Sequence, residues 1–134
     1  MDSNIILLPI YYTRVKKTKK NSTFLVGLNW YRNAHFTELS TVKNHYNDLI
    51  EKYISDWDFK INGRYGVIYK VYYKNPSCDA MNIISVIDKF AMDALQKLGI
   101  TKEDNVKHYI KTFCDKPEQD RENPRIEITI KEIK

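Results

Sequence analysis

The segment 78–104, CDAMNIISVIDKFAMDALQKLGITKED, constrains the fold of this chain most. Within it Ile84, Ile87, Phe90, Ala91, Ala94, Leu95 and Leu98 recur at spacings of three and four. That period predicts a helix over 81–98 with one broad apolar stripe. Gly99 follows as a natural C-cap, because glycine adopts a left-handed backbone without steric penalty. Such a stripe has to be buried against a sheet or another helix.

The rest of the chain offers those partners. Residues 4–12 are apolar and β-branched enough for a first strand, and 23–28 for a second. Residues 29–39 lack a clean period and read as a structured loop leading to a helix over 40–55. Val42, Tyr46, Leu49, Ile50 and Tyr53 form the stripe of that helix, with Ser40 or Thr41 as its cap. Residues 59–74 predict a strand, a tight turn at Asn62 and Gly63, and a longer strand with Val67, Tyr69, Val71 and Tyr73 on one face. Pro76 cannot donate to a ladder and ends it. Residues 106–114 read as a further strand. The polar stretch 115–124 contains two prolines and reads as a loop. Residues 125–134 alternate almost perfectly and predict a last, half-buried strand. The sum is a single α/β or α+β domain over 1–134, a mixed sheet packed against two main helices.

Composition narrows the class. A chain of 134 residues, 43% hydrophobic and 29% charged, is globular and large enough for a core without disulfides. No run of about 18 apolar residues predicts a membrane span. The start lacks a basic leader, so no secretory signal is expected. Cys78 and Cys114 form no metal-binding pair by spacing, and a cytoplasmic protein with free thiols is the expectation. The net charge of +5 favours anionic partners, nucleic acid among them. Residues 14–22 hold five basic side chains, Arg14, Lys16, Lys17, Lys19 and Lys20. They form either a solvated turn or an arm that contacts phosphate. Ten tyrosines serve equally in a core, at an interface or under a stacked base.

The chemistry concentrates around the main helix. Asp79 precedes it, Asn82 lies in its first turn, and Asn82, Lys89 and Asp93 share a face. Asp88 borders that face, about 100° from Lys89. Glu103 and Asp104 lie beyond the far end. Magnesium takes hard oxygen ligands, and lysine offers a compact charge to a phosphate. Converging carboxylates therefore imply a divalent cation held beside a phosphodiester. Each residue also has a plainer role. Asp79 or Asn82 caps the helix, Lys89 and Asp93 form an i,i+4 pair, and 103–105 is a polar turn. His35, His45 and His108 lack zinc spacing, and no histidine pairs with Cys78 from sequence.

The segments 63–76 (GRYGVIYKVYYKNP), 79–82 (DAMN), 88–95 (DKFAMDAL) and 99–105 (GITKEDN) together resemble the RusA family of Holliday-junction resolvases, in its phage and prophage branch. The segment 29–35 (NWYRNAH) is similar to one common in that branch. The resemblance implies a RusA-like α+β fold and a homodimer. It also implies a magnesium-dependent crossover junction endodeoxyribonuclease, with manganese as a substitute, that cuts branched DNA during recombination and repair. It implies a bacterial or phage-infected host cell. By position, Asp79, Asn82, Lys89 and Asp104 carry catalysis, and Asp79, Asp104, Asp88, Asp93 and Glu103 supply the metal ligands. Arg14, Lys16, Lys17, Lys19, Lys20, Arg32, Lys74 and Lys107 are the DNA-contact candidates. Where the family has a second aspartate this chain has Met81, so Asp88 or Asp93 replaces that ligand. A non-catalytic branched-DNA binder, or a single-strand binder stacking bases on Trp30 and Tyr31, is the alternative on the same scaffold.

Overall fold

A computed structural model describes residues 4–14, 22–57, 60–102, 105 and 107–133. The elements are β1 (Ile5–Pro9), β2 (Tyr11–Arg14), β3 (Ser22–Leu25), α1 (Leu28–Asn33), α2 (Phe36–Ile54), β4 (Arg64–Tyr73), α3 (Ala80–Lys97), β5 (Tyr109–Cys114), β6 (Glu118–Gln119) and β7 (Arg125–Ile133). The architecture is α+β: a mixed sheet, a separate two-stranded sheet and three helices.

Alternation in 125–133 places β7 centrally. Ile126, Ile128 and Ile130 are buried, while the residues between them are only partly covered. β7 pairs antiparallel with β1 on one side and β4 on the other. Ile128 lies opposite both Ile6 and Tyr69, and Ile126 opposite both Leu8 and Val71, so one sheet face carries continuous apolar rows. Side chains of period two on neighbouring strands stack this way when the register is in phase. The other long edge of β4 takes β5 and then β6, both parallel to it.

α3 covers the apolar face with Ile83, Ile84, Val86, Ile87, Phe90, Ala91, Met92, Ala94 and Leu95 buried. α2 adds Val42, Tyr46, Ile50 and Ile54 to the same core. Tyr46 stacks on Phe90 at 5.7 Å and donates its hydroxyl to the Pro9 carbonyl at 2.6 Å. Tyr46, Tyr65 and Tyr69 are fully buried, so part of the tyrosine content is core. α3 ends as its sequence predicts. Gly99 has φ 83°, its N–H donates to the Gln96 carbonyl, and the Ile100 N–H reaches back to Leu95 at 2.9 Å. This paired capping satisfies carbonyls the helix leaves open.

Five expectations need correction. The stretch 115–124 is not all loop, because Glu118 and Gln119 form β6 beside Tyr72 and Tyr73 of β4. Residues 4–12 do not make one strand, because the chain leaves the large sheet after Pro9 and pairs with β3 from Tyr11. Leu28 belongs to α1 rather than to a strand, and 29–33 are helical rather than loop. α2 starts at Phe36, capped by His35 Nδ1 accepting from the Thr37 N–H at 3.2 Å, not by Ser40 or Thr41. The described residues 60–63, just ahead of β4, form no strand. Asn62 and Gly63 turn no hairpin there, since β5, β6 and β7 already occupy both edges of β4. Ile61 instead donates to the Ile100 carbonyl at 2.8 Å.

Candidate functional site

Asp79 is the N-cap of α3, and its carboxylate accepts the Met81 N–H at 3.0 Å. Its backbone leaves the helix in an extended conformation, which lets a short acidic side chain fold back onto the open N–H groups. Asn82 stands exposed in the same first turn. These two predicted site residues are therefore neighbours.

The others are dispersed along and around the helix. Lys89 is ten residues beyond Asp79 and Asp93 fourteen, which separates them from it by about 15 and 20 Å of helical rise. Asp93 pairs with Lys43 of α2 at 3.2 Å, both half-exposed. Lys89 joins them in a cleft of about 340 Å3 between the two helices. The predicted pairing of Lys89 with Asp93 thus gives way to an interhelical pair. That partner was invisible in sequence, because nothing in residues 40–55 marks Lys43 as facing α3.

Asp88 lies on a different side of α3, towards β5. Its Oδ1 accepts from the Tyr69 hydroxyl and, at 2.8 Å, from the Tyr109 hydroxyl. Thr112 donates in turn to Tyr109 at 2.8 Å. Burial pushes both phenols above their ordinary range, and the nearby Asp88 charge pushes them the same way. Both therefore stay protonated as donors across neutral pH. The chain of bonds ties helix, central strand and edge strand together. The inward face predicted for Tyr69 was the available signal for this contact; Tyr109 and Thr112 gave none. Close by, Cys114 Sγ lies 3.4 Å from Met81 Sδ. Cys78 is partly covered, and burial together with Asp79 raises its thiol.

Among the described residues, no three His, Cys, Asp or Glu side chains gather in a way that could hold a metal ion. Asp79, Asp88 and Asp93 do not share a site. Glu103 and Asp104 lie outside the described residues, as do Lys16, Lys17, Lys19 and Lys20. The described donors therefore do not by themselves fit a divalent cation.

Of the DNA-contact candidates, Arg14 is occupied. Its guanidinium forks onto Glu38, with Nη2 to Oε1 at 2.7 Å, and lies over the Phe24 ring at 5.0 Å. Glu38 also accepts from Trp30 Nε1 at 2.9 Å. Trp30 stacks on Phe24 at 5.2 Å and meets Phe90 edge-on, while Tyr31 also packs on Phe90. Both rings proposed for base stacking are thus engaged in packing. Lys74 lies over Tyr11 at 5.9 Å. Arg32 and Lys107 are exposed.

No family model and no curated protein matches this chain. No helix among the described residues is long and apolar enough to cross a membrane.

Proposed function

We propose that this chain is a structure-selective endodeoxyribonuclease acting on branched DNA, including four-way junctions, as a homodimer that requires magnesium or manganese. One observation carries the reading. Asp79 is held at the N-terminus of α3, one turn from Asn82, and the segments that carry the resemblance fall on β4, the start of α3, its later turns and the Gly99 cap in that order. The dispersal of Asp88 and Asp93 narrows the proposed ligands to Asp79 with Glu103 and Asp104. It also gives Asp88 a different role, anchoring β5 through Tyr109. Lys89, with Lys43 beside it, becomes a contact for the DNA backbone away from Asp79. A bound divalent cation would supply activation of water and neutralisation of the phosphate. Asn82 would orient a water or the Asp79 carboxylate.

A second reading is branched-DNA binding without cleavage. It is favoured by Met81, which turns its thioether towards Cys114 and offers no hard ligand. Incubating a labelled four-way junction with the protein, in magnesium, manganese or chelator, separates the two. Paired nicks that need metal and vanish in Asp79→Asn and Asp104→Asn support the nuclease. Tight, salt-dependent junction binding with no nick under any metal rejects it in favour of the binder.

A further inference from the structure

Phe36 is the most exposed large apolar side chain among those described, at 70%. A single exposed phenylalanine needs no explanation. Its surroundings give this one a purpose. The His35 ring lies against it at 4.6 Å, tilted by 32°. As the cap of α2, His35 uses Nδ1 to accept the Thr37 N–H, so its proton sits on Nε2 and that edge is a donor. His35 and Thr37, the chain neighbours of Phe36, line a cleft of about 520 Å3 with Asn29 and Asn33, whose amide donates to the Asn29 carbonyl at 2.7 Å, and with the Arg14–Glu38 pair. Arg32, in the last turn of α1, is exposed and makes no ion pair among the described residues. Glu38, the acid nearest in sequence, is taken up by Arg14 and Trp30.

We propose that Phe36 and His35 form a stacking platform for an unpaired DNA base, with Arg32 holding the adjoining phosphate. The chemistry selects this occupant. An open π-face accepts any base, the His35 ring N–H offers a hydrogen bond to a base edge, and a cation without a carboxylate partner suits a phosphate. The site replaces Trp30 and Tyr31, whose rings are used in packing. It rests on the nucleic-acid reading above and extends it: a base splayed out at a branch point would sit on the platform, which would favour branched over continuous DNA.

Fluorescence anisotropy with a labelled single strand, the matching duplex and a four-way junction tests this, using wild type, Phe36→Ala, Phe36→Leu, Phe36→Tyr and Arg32→Ala. Phe36→Ala and Phe36→Leu should each weaken single-strand and junction binding about tenfold. Duplex affinity and salt dependence should hold, and Phe36→Tyr should bind like wild type. Arg32→Ala should weaken binding to all three and lower the salt slope by about one. Single-strand and junction affinities that do not change in Phe36→Ala and Phe36→Leu overturn the platform while leaving DNA binding intact. Equal losses on duplex overturn it too. So does a change in sedimentation of Phe36→Ala without DNA, which would assign the ring to contact with a second copy. Failure of wild type to bind any of the three overturns the platform together with the nucleic-acid reading.

Discussion

Asp79 carries a structural role and, under the proposed function, a chemical one, and substitution can separate them. Asparagine caps a helix about as well as aspartate, whereas alanine leaves the N–H groups open at a cost of about 1 kcal/mol. Asp79→Asn should therefore melt close to wild type yet lose metal-dependent cleavage, while Asp79→Ala should lose both activity and about 1 kcal/mol. Thermal melts run beside junction cleavage check this. Equal destabilisation by the two substitutions would deny Asp79 its capping role. Asp88 presents a different balance. Its carboxylate is where two phenols end, one of them fully buried. Asp88→Ala should strand the Tyr69 hydroxyl and cost about 1–3 kcal/mol in urea denaturation. A stability unchanged from wild type would mean that Asp88 anchors nothing. Sequence showed both aspartates and the helix beside them. It could not show that one faces a pair of tyrosines, because that depends on where a strand twenty-one residues away docks.

Among the elements, legibility followed length and period. α3 and β7 were readable because their patterns run through eighteen and nine residues and end at recognisable signals. α1 has only six residues, too few for a stripe, and none of them is buried. The split between β1 and β2 is marked only by Pro9, and Ile6, Leu8 and Ile10 hide it by continuing one buried alternation across the change of sheet. Asn62 and Gly63 carried a true local turn preference, which the crowded edges of β4 overrode. The α3 terminus, by contrast, was legible and is testable. A Cβ on Gly99 would meet nothing nearer than Lys60 Nζ at 4.0 Å, so space is available. The cost of Gly99→Ala lies in its φ of 83°, and should be about 1–2 kcal/mol. Asparagine, which tolerates that region better, should cost less. Urea midpoints that fall equally for both variants would contradict a conformational origin.

Across the whole molecule, the charge balance joins fold and proposed function in one variable. The excess of cations that suits a DNA ligand leaves little reserve against acid. With all seventeen carboxylates neutralised, twenty-two Lys and Arg and three His would remain as positive charge. That self-repulsion works against the compact state. Asp120 adds a specific contribution. Its hydrogen bond to Arg125, at 2.8 Å, is the main cause that holds its carboxyl below the usual range, with the Asn123 N–H assisting. A depressed folded pKa means stability that is present above the ordinary value of 3.8 and lost as pH falls through the depressed one. Arg125 opens β7 and lies 3.8 Å over the Tyr72 ring, so releasing Asp120 loosens the start of a central strand. Far-UV circular dichroism melts between pH 7 and 2 should show wild type losing stability below about pH 4. Asp120→Asn should begin slightly less stable at pH 7 and lose less on acidification. Added salt should raise the acid stability of both by screening repulsion. Parallel losses in the two proteins would assign the acid response to net charge alone, without a part for the Asp120–Arg125 contact.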